Sequence, residues 1–261
     1  MSVVCDDRFV DLAIALAEAS RPIIRRYFRR DFEVFDKADA TPVTNADREA
    51  EAAMRALIAE TFPAHGVIGE EHGADRADAE YVWVLDPIDG TKAFVAGLPL
   101  FGTLIGLAHR GRPILGVIDH PATEERWLGV AGRGTTCNGA PVRTRAQADM
   151  AGATLYATAP EMFTGAEAHA FERVRRAVKL TRYGTDCYAY AMLASGFGDL
   201  VVETDLKIMD YMPVVPVVEG AGGMMTDWQG RPLSFASDGR ILAAGDAHTH
   251  AQALPLLAAD A

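Results

Sequence analysis

Cysteine is scarce in this chain, where Cys5, Cys137 and Cys187 form an odd and widely separated set. Because their spacing matches neither a disulfide framework nor a zinc site, we expect a reducing compartment, the cytoplasm. The seven histidines also lack the paired spacing of zinc ligands. We expect His248 and His250 at the surface.

Long apolar runs and an excess of positive charge are lacking as well. No apolar stretch approaches the length of a membrane-spanning helix, and the first eight residues lack the pattern of a secretion signal. The chain has 36 acidic residues against 25 lysines and arginines, which gives a formal net charge of -11. Nucleic acids and anionic membranes bind basic surfaces, so we expect neither as a partner.

The apolar residues that are present form helix-like and strand-like patterns along 261 residues. Apolar spacing predicts helices over 6–30, 46–60 and 210–221, and a series of hairpins predicts an antiparallel sheet in the first half. From about residue 150, strands and helices alternate, as in layered α/β proteins. We therefore predict one compact α/β (α+β layered) unit with two lobes, residues 1–143 carrying the antiparallel sheet and residues 144–261 forming an α/β lobe.

The most informative stretch is Trp83 to Thr91, WVLDPIDGT, in which an apolar strand runs into two aspartates. Pro87 has no N–H, so we expect the chain to turn there and to bring Asp89 beside Asp86. Both aspartates also suit purely structural roles as caps of a turn and a helix. The N–H groups that follow Gly90 suit an anion.

DPIDGT after a hydrophobic strand resembles the signature of the inositol monophosphatase family, which comprises magnesium-dependent, lithium-sensitive phosphomonoesterases. Three further segments resemble the pattern of that family: PVTNAD at 42–47, GEE at 69–71 and the stretch that begins at Asp210. The last of these departs from the pattern. The family commonly has tryptophan and small residues where this chain has Met209, Tyr211 and Met212.

The resemblance implies a fold and a set of site residues. The fold would be the five-layered αβαβα sandwich of the inositol monophosphatase and fructose-1,6-bisphosphatase type. Two or three Mg²⁺ ions would be held by Glu70, Asp86, the Ile88 carbonyl, Asp89 and Asp210. The residues that position the attacking water would be Glu70, Asp47 and Thr91. The residues that bind phosphate would be Asp89, Gly90 and Thr91.

Some of these positions have other interpretations or looser matches. Asp47, taken alone, suits a helix-capping carboxylate. Lys37 resembles a lysine found near that site in the family. Family members are mostly homodimers that act on small phosphate esters, so the resemblance also implies a homodimer.

The segment RYGTDCYAY at 182–190 occupies the place of the family's substrate loop. Inositol phosphatases have small neutral residues after Gly-Thr, whereas this chain has Asp186 and Cys187. Asp186 would also suit a helix cap. In the substrate loop it would lie with Glu203 near the alcohol that the reaction releases, where two carboxylates favour a cation. The motifs DCYAY, LKxxD and PVVEGAGG together resemble the histidinol-phosphate phosphatases of this family. The implied substrate-binding residues are Asp186, Cys187, Glu203, Asp210 and Arg182.

Three substrates follow from these resemblances. The first is L-histidinol phosphate, hydrolysed in histidine biosynthesis; the second is inositol 1-phosphate or another sugar-alcohol phosphate; the third is 3′-phosphoadenosine 5′-phosphate. Lys92 bears on this choice, because inositol phosphatases usually have a neutral residue there, while the other two groups can have lysine. A catalytically silent regulator on this scaffold would have lost metal carboxylates, and the sequence retains all of them.

Overall fold

The computed structural model describes residues 5–30, 34–36, 42–147 and 149–258, and it contains two large sheets and a two-stranded ribbon. The helices are α1 (Asp7–Tyr27), α2 (Asn45–Thr61), α3 (Thr91–Val95), α4 (Gly165–Ala177), α5 (Tyr188–Ala194), α6 (Ile208–Tyr211), α7 (Val215–Gly220) and α8 (Ala247–Ala258). The strands are β1 (Val34–Asp36), β2 (Pro42–Thr44), β3 (Gly66–Gly69), β4 (Gly73–Asp75), β5 (Tyr81–Asp89), β6 (Gly102–His109), β7 (Arg112–His120), β8 (Glu125–Val130), β9 (Gly134–Cys137), β10 (Ala140–Val142), β11 (Thr154–Ala157), β12 (Leu180–Tyr183), β13 (Leu200–Glu203), β14 (Met224–Asp227) and β15 (Ile241–Ala244). Among the described residues, no helix has both the length and the apolar character that crossing a bilayer requires.

The first two helices follow directly from sequence features. The Asp6 side chain accepts the N–H of Arg8 at the start of α1, and Thr44 caps α2 in the same way. Leu12 and Leu16, four residues apart, are buried on one face of α1. The helices predicted over 6–30 and 46–60 are thus confirmed, with ends shifted by a few residues.

The two large sheets differ in strand direction. The first has the order β10-β9-β8-β7-β6-β5-β3-β4, and only its β3–β5 pair is parallel. The second has the order β12-β11-β13-β15-β14, with β11 parallel to both of its neighbours. The parallel pair β3–β5 matters for the site, because both strands end on the same side of the sheet. The boundary near residue 143 stays a prediction.

Helices cover both sheets and fill the space between them. Helices α1 and α2 pack on the first sheet through a core that includes Leu16 and Met54. Helices α5 and α7 lie between the sheets in a second core, with Tyr190 and Val217. Helices α4 and α8 cover the far face of the second sheet, around Phe171. This order of layers confirms the five-layered αβαβα sandwich.

Three glycines lie side by side across three neighbouring strands, and the chain around the start of α7 packs directly on them. Gly106 is opposite Gly116, which is opposite Gly129. A Cβ at Gly116 would lie 1.8 Å from the Pro213 carbonyl oxygen, and one at Gly129 would lie 2.3 Å from that of Pro216. Side chains at these positions would therefore push α7 away from the first sheet.

Two expectations about the second half of the chain are wrong. The single helix predicted over 210–221 is divided into α6 and α7, because Pro213 cannot donate the N–H that a continuous helix needs. His248 is exposed as expected, but His250 is buried, with its Nε2 atom 2.7 Å from the Thr226 hydroxyl. Strands β14 and β15 and helix α8 have no counterpart in the predicted elements.

Candidate active site

Strand β5 carries two of the candidate carboxylates, and it does not turn at Pro87 as the sequence predicted. The strand continues to Asp89, and its pairing with β6 shifts register between Asp86 and Asp89. This β-bulge accommodates a proline, which has no N–H for the ladder. The Pro87 carbonyl accepts the Thr103 hydroxyl at 2.8 Å, and the Ile88 N–H donates to Asp86 Oδ1 at 2.9 Å. A bulge, and not a turn, therefore places the two aspartates together.

Asp86, Asp89 and Asp210 form a compact carboxylate cluster, in which one oxygen from each lies within 4.8 Å of the others. Asp210 reaches the cluster from α6, where its Oδ2 accepts the Lys207 N–H at 2.7 Å. Burial, followed by nearby negative charges, raises the pKa of all three carboxyls, that of Asp210 to about 7. A divalent cation would relieve this repulsion, and carboxylate oxygens are the ligands that Mg²⁺ prefers. The three residues therefore fit a metal.

Glu70 follows β3, and the parallel pairing of β3 with β5 brings it to the cluster. Gly69 is opposite Leu85, and the Glu70 N–H donates to the Leu85 carbonyl at 3.2 Å. After burial, the negative charge of Glu70 is the largest contribution that raises the pKa of Asp86. Glu70 thus lies close enough to the candidate metal ligands for its charge to act on Asp86.

Glu51, a buried residue of α2, holds the backbone around Glu70. Its carboxylate accepts the Glu71 N–H at 2.7 Å and the His72 N–H at 3.1 Å. A Cβ at Gly69 would lie 2.1 Å from Glu51 Oε1, so this close approach needs glycine. Glu51 therefore contacts the chain on both sides of the candidate metal ligand.

Asp47 closes the capping box at the start of α2. Its Oδ2 accepts the Thr44 N–H at 2.8 Å and the Thr44 hydroxyl at 2.6 Å, which confirms the capping role. Burial raises the pKa of Asp47 to about 6.

The Thr91 hydroxyl donates to the Ile88 carbonyl at 3.0 Å. The partnership of Thr91 with Asp47 stays a prediction, and Lys37 lies outside the described residues.

Gly90 lies between the carboxylate cluster and the loop at Asp186. Its φ of 84° is in the left-handed region, and it precedes α3. A Cβ there would lie 3.0 Å from the Leu100 carbonyl oxygen and 3.2 Å from Cγ of Asp186. The turn that the sequence assigns to phosphate therefore packs against the proposed substrate loop.

Cys187 contacts both the carboxylate cluster and the side chain of His120 in the protein interior. Its N–H donates to Asp89 Oδ2 at 2.7 Å. Its thiol is buried, with Sγ 3.8 Å from His120 Nε2, and burial raises the pKa of the thiol. The backbone N–H of Cys187 thus binds a candidate metal ligand, and its thiol lies close enough to interact with the same carboxylate.

Asp186 lies beside Gly90 with a left-handed φ of 44°. Burial, followed by the negative charge of Glu203, raises the pKa of the Asp186 carboxyl to about 7. The positive charge of Lys92 acts in the opposite direction. The structure therefore brings Asp186 and Glu203 into mutual repulsion, with Lys92 close enough to reduce it.

Glu203 and Arg182 have contrasting environments. Glu203 is buried at the end of β13, and its Oε2 accepts the Tyr190 hydroxyl at 2.7 Å. Arg182 is exposed on the edge strand β12, where it is opposite Tyr156 of β11. Of the predicted substrate residues, Glu203 is thus close to Asp186, whereas Arg182 lies at the edge of the second sheet.

Reasoning from the sequence does not find Glu51, and it includes Tyr190 only as part of the substrate-loop segment 182–190 without a role of its own. Glu51 follows Asp47 by four residues, and Tyr190 follows Asp186 by four. Within a helix, as for Asp47 and Glu51 in α2, this spacing places two side chains on one side, whereas Asp186 precedes α5. It was the available signal, but it does not reveal which groups these side chains contact.

The fold and the site together define a class, namely a two-sheet α/β protein with a carboxylate centre suited to a hard divalent cation. The chain belongs to the inositol monophosphatase family, whose family model matches residues 6–260. It is therefore a phosphatase of a family that is metal-dependent and acts on small phosphate esters.

Individual relatives carry different names. The chain is 49% identical over 260 residues to the chloroplastic bifunctional phosphatase IMPL2 of Arabidopsis thaliana, covering 96% of this chain and 75% of that protein. It is 37% identical over 236 residues to the histidinol-phosphatase of Chlorobaculum parvum, covering 90% of this chain and 91% of that protein. A solved structure of an inositol monophosphatase from Zymomonas mobilis is similar with a TM-score of 0.89 and 45% identity, covering 96% of this chain and 98% of that one.

Proposed function

We propose that this phosphatase hydrolyses L-histidinol phosphate to L-histidinol and phosphate, a step of histidine biosynthesis. The observation that carries the proposal is a pair of carboxylates: Asp186, beside the candidate phosphate turn at Gly90, and Glu203, whose charge acts on Asp186. Histidinol has an ammonium group and an imidazole, and a cation is stabilised where two carboxylates repel each other. The similarity to the histidinol-phosphatase of Chlorobaculum parvum supports the same substrate.

The position of Asp186 explains why it would act on the leaving group. Its Cγ would be 3.2 Å from a Cβ at Gly90, so it lies at the turn proposed to hold phosphate. A substrate that places its phosphate at this turn places its alcohol within reach of Asp186. The ammonium group would then keep both Asp186 and Glu203 ionised by neutralising their repulsion.

The candidate metal ligands and catalytic residues fit a phosphoryl transfer to water. Bound Mg²⁺ supplies charge neutralisation for the phosphate and lowers the pKa of a water molecule. The residues that would hold it are Glu70, Asp86, the Ile88 carbonyl, Asp89 and Asp210.

This chain's own groups would position the reactants. Glu70 would accept a hydrogen bond from the attacking water, and Thr91, acting with Asp47, would hold that water from a second side. The N–H groups of Gly90 and Thr91, with Asp89, would hold the phosphate. Positioning and charge neutralisation carry most of phosphoryl transfer, so a protein nucleophile is not needed.

Inositol 1-phosphate is the second candidate substrate. The Zymomonas mobilis protein supports it, and a buried carboxylate such as Glu203 can also accept a hydrogen bond from a neutral hydroxyl. The third candidate, 3′-phosphoadenosine 5′-phosphate, carries a second phosphate that Asp186 and Glu203 would repel, although Lys92 would attract it.

The test is phosphate release from a panel of esters, with and without Mg²⁺. The panel contains L-histidinol phosphate, inositol 1-phosphate, 3′-phosphoadenosine 5′-phosphate and fructose 1,6-bisphosphate. We expect kcat/KM for L-histidinol phosphate to exceed the others by at least about a hundredfold, or about 3 kcal/mol. A flat profile, or a preference for inositol 1-phosphate, would contradict the proposed substrate while leaving the phosphatase assignment intact.

We also propose a homodimer in a reducing compartment, the cytoplasm. Family membership supports the dimer. Cys5, Cys137 and Cys187 are all free thiols, which suits a reducing environment. The name of the Arabidopsis thaliana relative gives a chloroplast location for that protein. Sedimentation of the purified chain would test the dimer.

A further inference from the structure

Glu203 is the most completely hydrogen-bonded carboxylate of the proposed substrate residues. It is 2% exposed at the end of β13. Its Oε1 accepts the Thr158 N–H at 3.0 Å and also the Thr158 hydroxyl. Its Oε2 accepts the Tyr190 hydroxyl at 2.7 Å. Three donors therefore fix this side chain before any substrate binds.

These contacts leave a defined direction for a fourth donor. An ionised carboxylate offers about four lone pairs, two on each oxygen. Both lone pairs of Oε1 are occupied by Thr158, whereas Oε2 has one partner. A donor from the leaving group would therefore bind Oε2, the same oxygen that Tyr190 holds.

Tyr190 also connects Glu203 to Asp186. It is a buried residue of α5, the helix that begins immediately after Asp186 and Cys187. The Cys187 N–H bonds Asp89, so the start of this helix is anchored to the carboxylate cluster. Through the Tyr190 hydroxyl, the same helix fixes the second acidic group of the pair. Helix α5 thus follows Asp186 directly and holds one oxygen of Glu203, so it connects the positions of the two carboxylates.

We propose that Tyr190 is a positioning residue that sets the preference for a cationic leaving group by holding Oε2 of Glu203 in place. This inference rests on the proposed function, because it concerns the alcohol that the enzyme releases. Tyr190 itself does not need to touch the substrate. Without its hydroxyl, Glu203 retains its contacts on Oε1 but is free to rotate Oε2 away from the leaving group.

The test is Tyr190→Phe, which removes one oxygen and keeps the ring in the core between the sheets. Tyr188→Phe is a matched control on the same helix, because its hydroxyl also donates to a carboxylate, that of Glu125 at 3.0 Å. Each variant is assayed with Mg²⁺ on L-histidinol phosphate and on glycerol 2-phosphate, an ester of a neutral alcohol. Thermal unfolding of both variants monitors the fold.

We expect Tyr190→Phe to lower kcat/KM for L-histidinol phosphate about tenfold, mainly through a higher KM, and to change kcat/KM for glycerol 2-phosphate less than about twofold. Tyr188→Phe should change neither. An equal loss on both esters, or an unchanged ratio between them, would overturn the role of Tyr190.

Failure of the proposed function would look different. It would be visible in the wild-type enzyme, as the absence of any preference for L-histidinol phosphate over glycerol 2-phosphate. That outcome would overturn the inference as well, because a preference that is absent cannot depend on Tyr190. A wild-type preference that survives Tyr190→Phe would overturn only the inference.

Discussion

The backbone N–H of Cys187 donates to Oδ2 of Asp89 at 2.7 Å, across 98 residues of sequence. Asp89 lies at the bulge of β5 in the first sheet, and Cys187 immediately precedes α5, which packs between the sheets. A candidate metal ligand is thus also a contact between the two parts of the chain. Its charge and its hydrogen bond can be separated by mutation.

Asp89→Asn should abolish catalysis and preserve the fold. The amide oxygen can still accept the Cys187 N–H, but the loss of a charged ligand should lower Mg²⁺-dependent kcat at least about a thousandfold. The free energy of unfolding without metal should stay the same or rise by about 1 kcal/mol, because one of the repelling charges is gone. Asp75→Asn, at an exposed position on β4, is the control. Retained Mg²⁺-dependent turnover in Asp89→Asn would remove this residue from the proposed metal site.

Glu51→Gln should weaken the site without changing its substrate preference. Glu51 accepts the Glu71 and His72 N–H groups and Arg55 Nε, whereas glutamine has one acceptor oxygen and would turn an NH₂ group toward a donor. The backbone around Glu70 should therefore shift.

We expect kcat/KM of Glu51→Gln to fall about tenfold or more on every ester, and more Mg²⁺ to be needed for half-maximal activity. Glu60→Gln, at the exposed end of α2, is the control. A loss confined to one substrate, or an unchanged Mg²⁺ requirement, would show that Glu51 does not act through Glu70.

Asp186→Asn should change specificity. Asparagine tolerates the left-handed φ of 44° at this position, so the substitution removes charge with little backbone strain. We expect kcat/KM for L-histidinol phosphate to fall about thirtyfold or more, with little change for glycerol 2-phosphate. Steady-state kinetics on both esters would measure this. Parallel losses would mean that Asp186 has a structural role at the start of α5.

Mg²⁺ should stabilise the protein more strongly as pH rises. A carboxyl whose pKa is higher in the folded than in the unfolded state binds protons in the folded state, so its contribution to stability falls as pH rises through that range. The pKa of Asp210 is raised to about 7, and those of Asp86 and Asp89 are also raised. Mg²⁺ must therefore displace protons at low pH, and it meets ionised ligands at high pH.

The increase in Tm at a fixed Mg²⁺ concentration should therefore be larger at about pH 8 than at about pH 6, with proton release on binding near pH 6 to 7. Calorimetric titration in buffers of different ionisation enthalpy would detect the released protons. An increase in Tm that is independent of pH, with no proton release, would place Mg²⁺ elsewhere.

The sequence predicted the part of the site whose residues lie within one short segment of the chain. Asp86, Asp89 and Gly90 belong to one segment whose residue types already indicate a strand followed by an anion-binding turn. Even there, the bulge at Pro87 was not predicted, because a proline at a strand end is compatible with both a turn and a register shift. The choice depends on pairing with β6, which a local pattern does not contain.

Contacts between distant segments were not predictable in the same way. Glu51 appeared only as a helical residue and Tyr190 only as part of the substrate-loop segment, since the groups that they contact lie on other elements. Strand β15 was missed because Ile241–Ala244 is a short apolar run in which strand and helix patterns look alike. Such runs acquire their structure from neighbouring strands.

Substitutions in the row of Gly106, Gly116 and Gly129 should not behave as independent changes. An added Cβ at any one of them would lift the Pro213–Pro216 segment from the sheet, after which a second Cβ would meet less resistance. During evolution, glycine would then be retained at all three positions or replaced at all three. Asp210 lies in α6, three residues before Pro213, so a displacement of this segment would also move a candidate metal ligand.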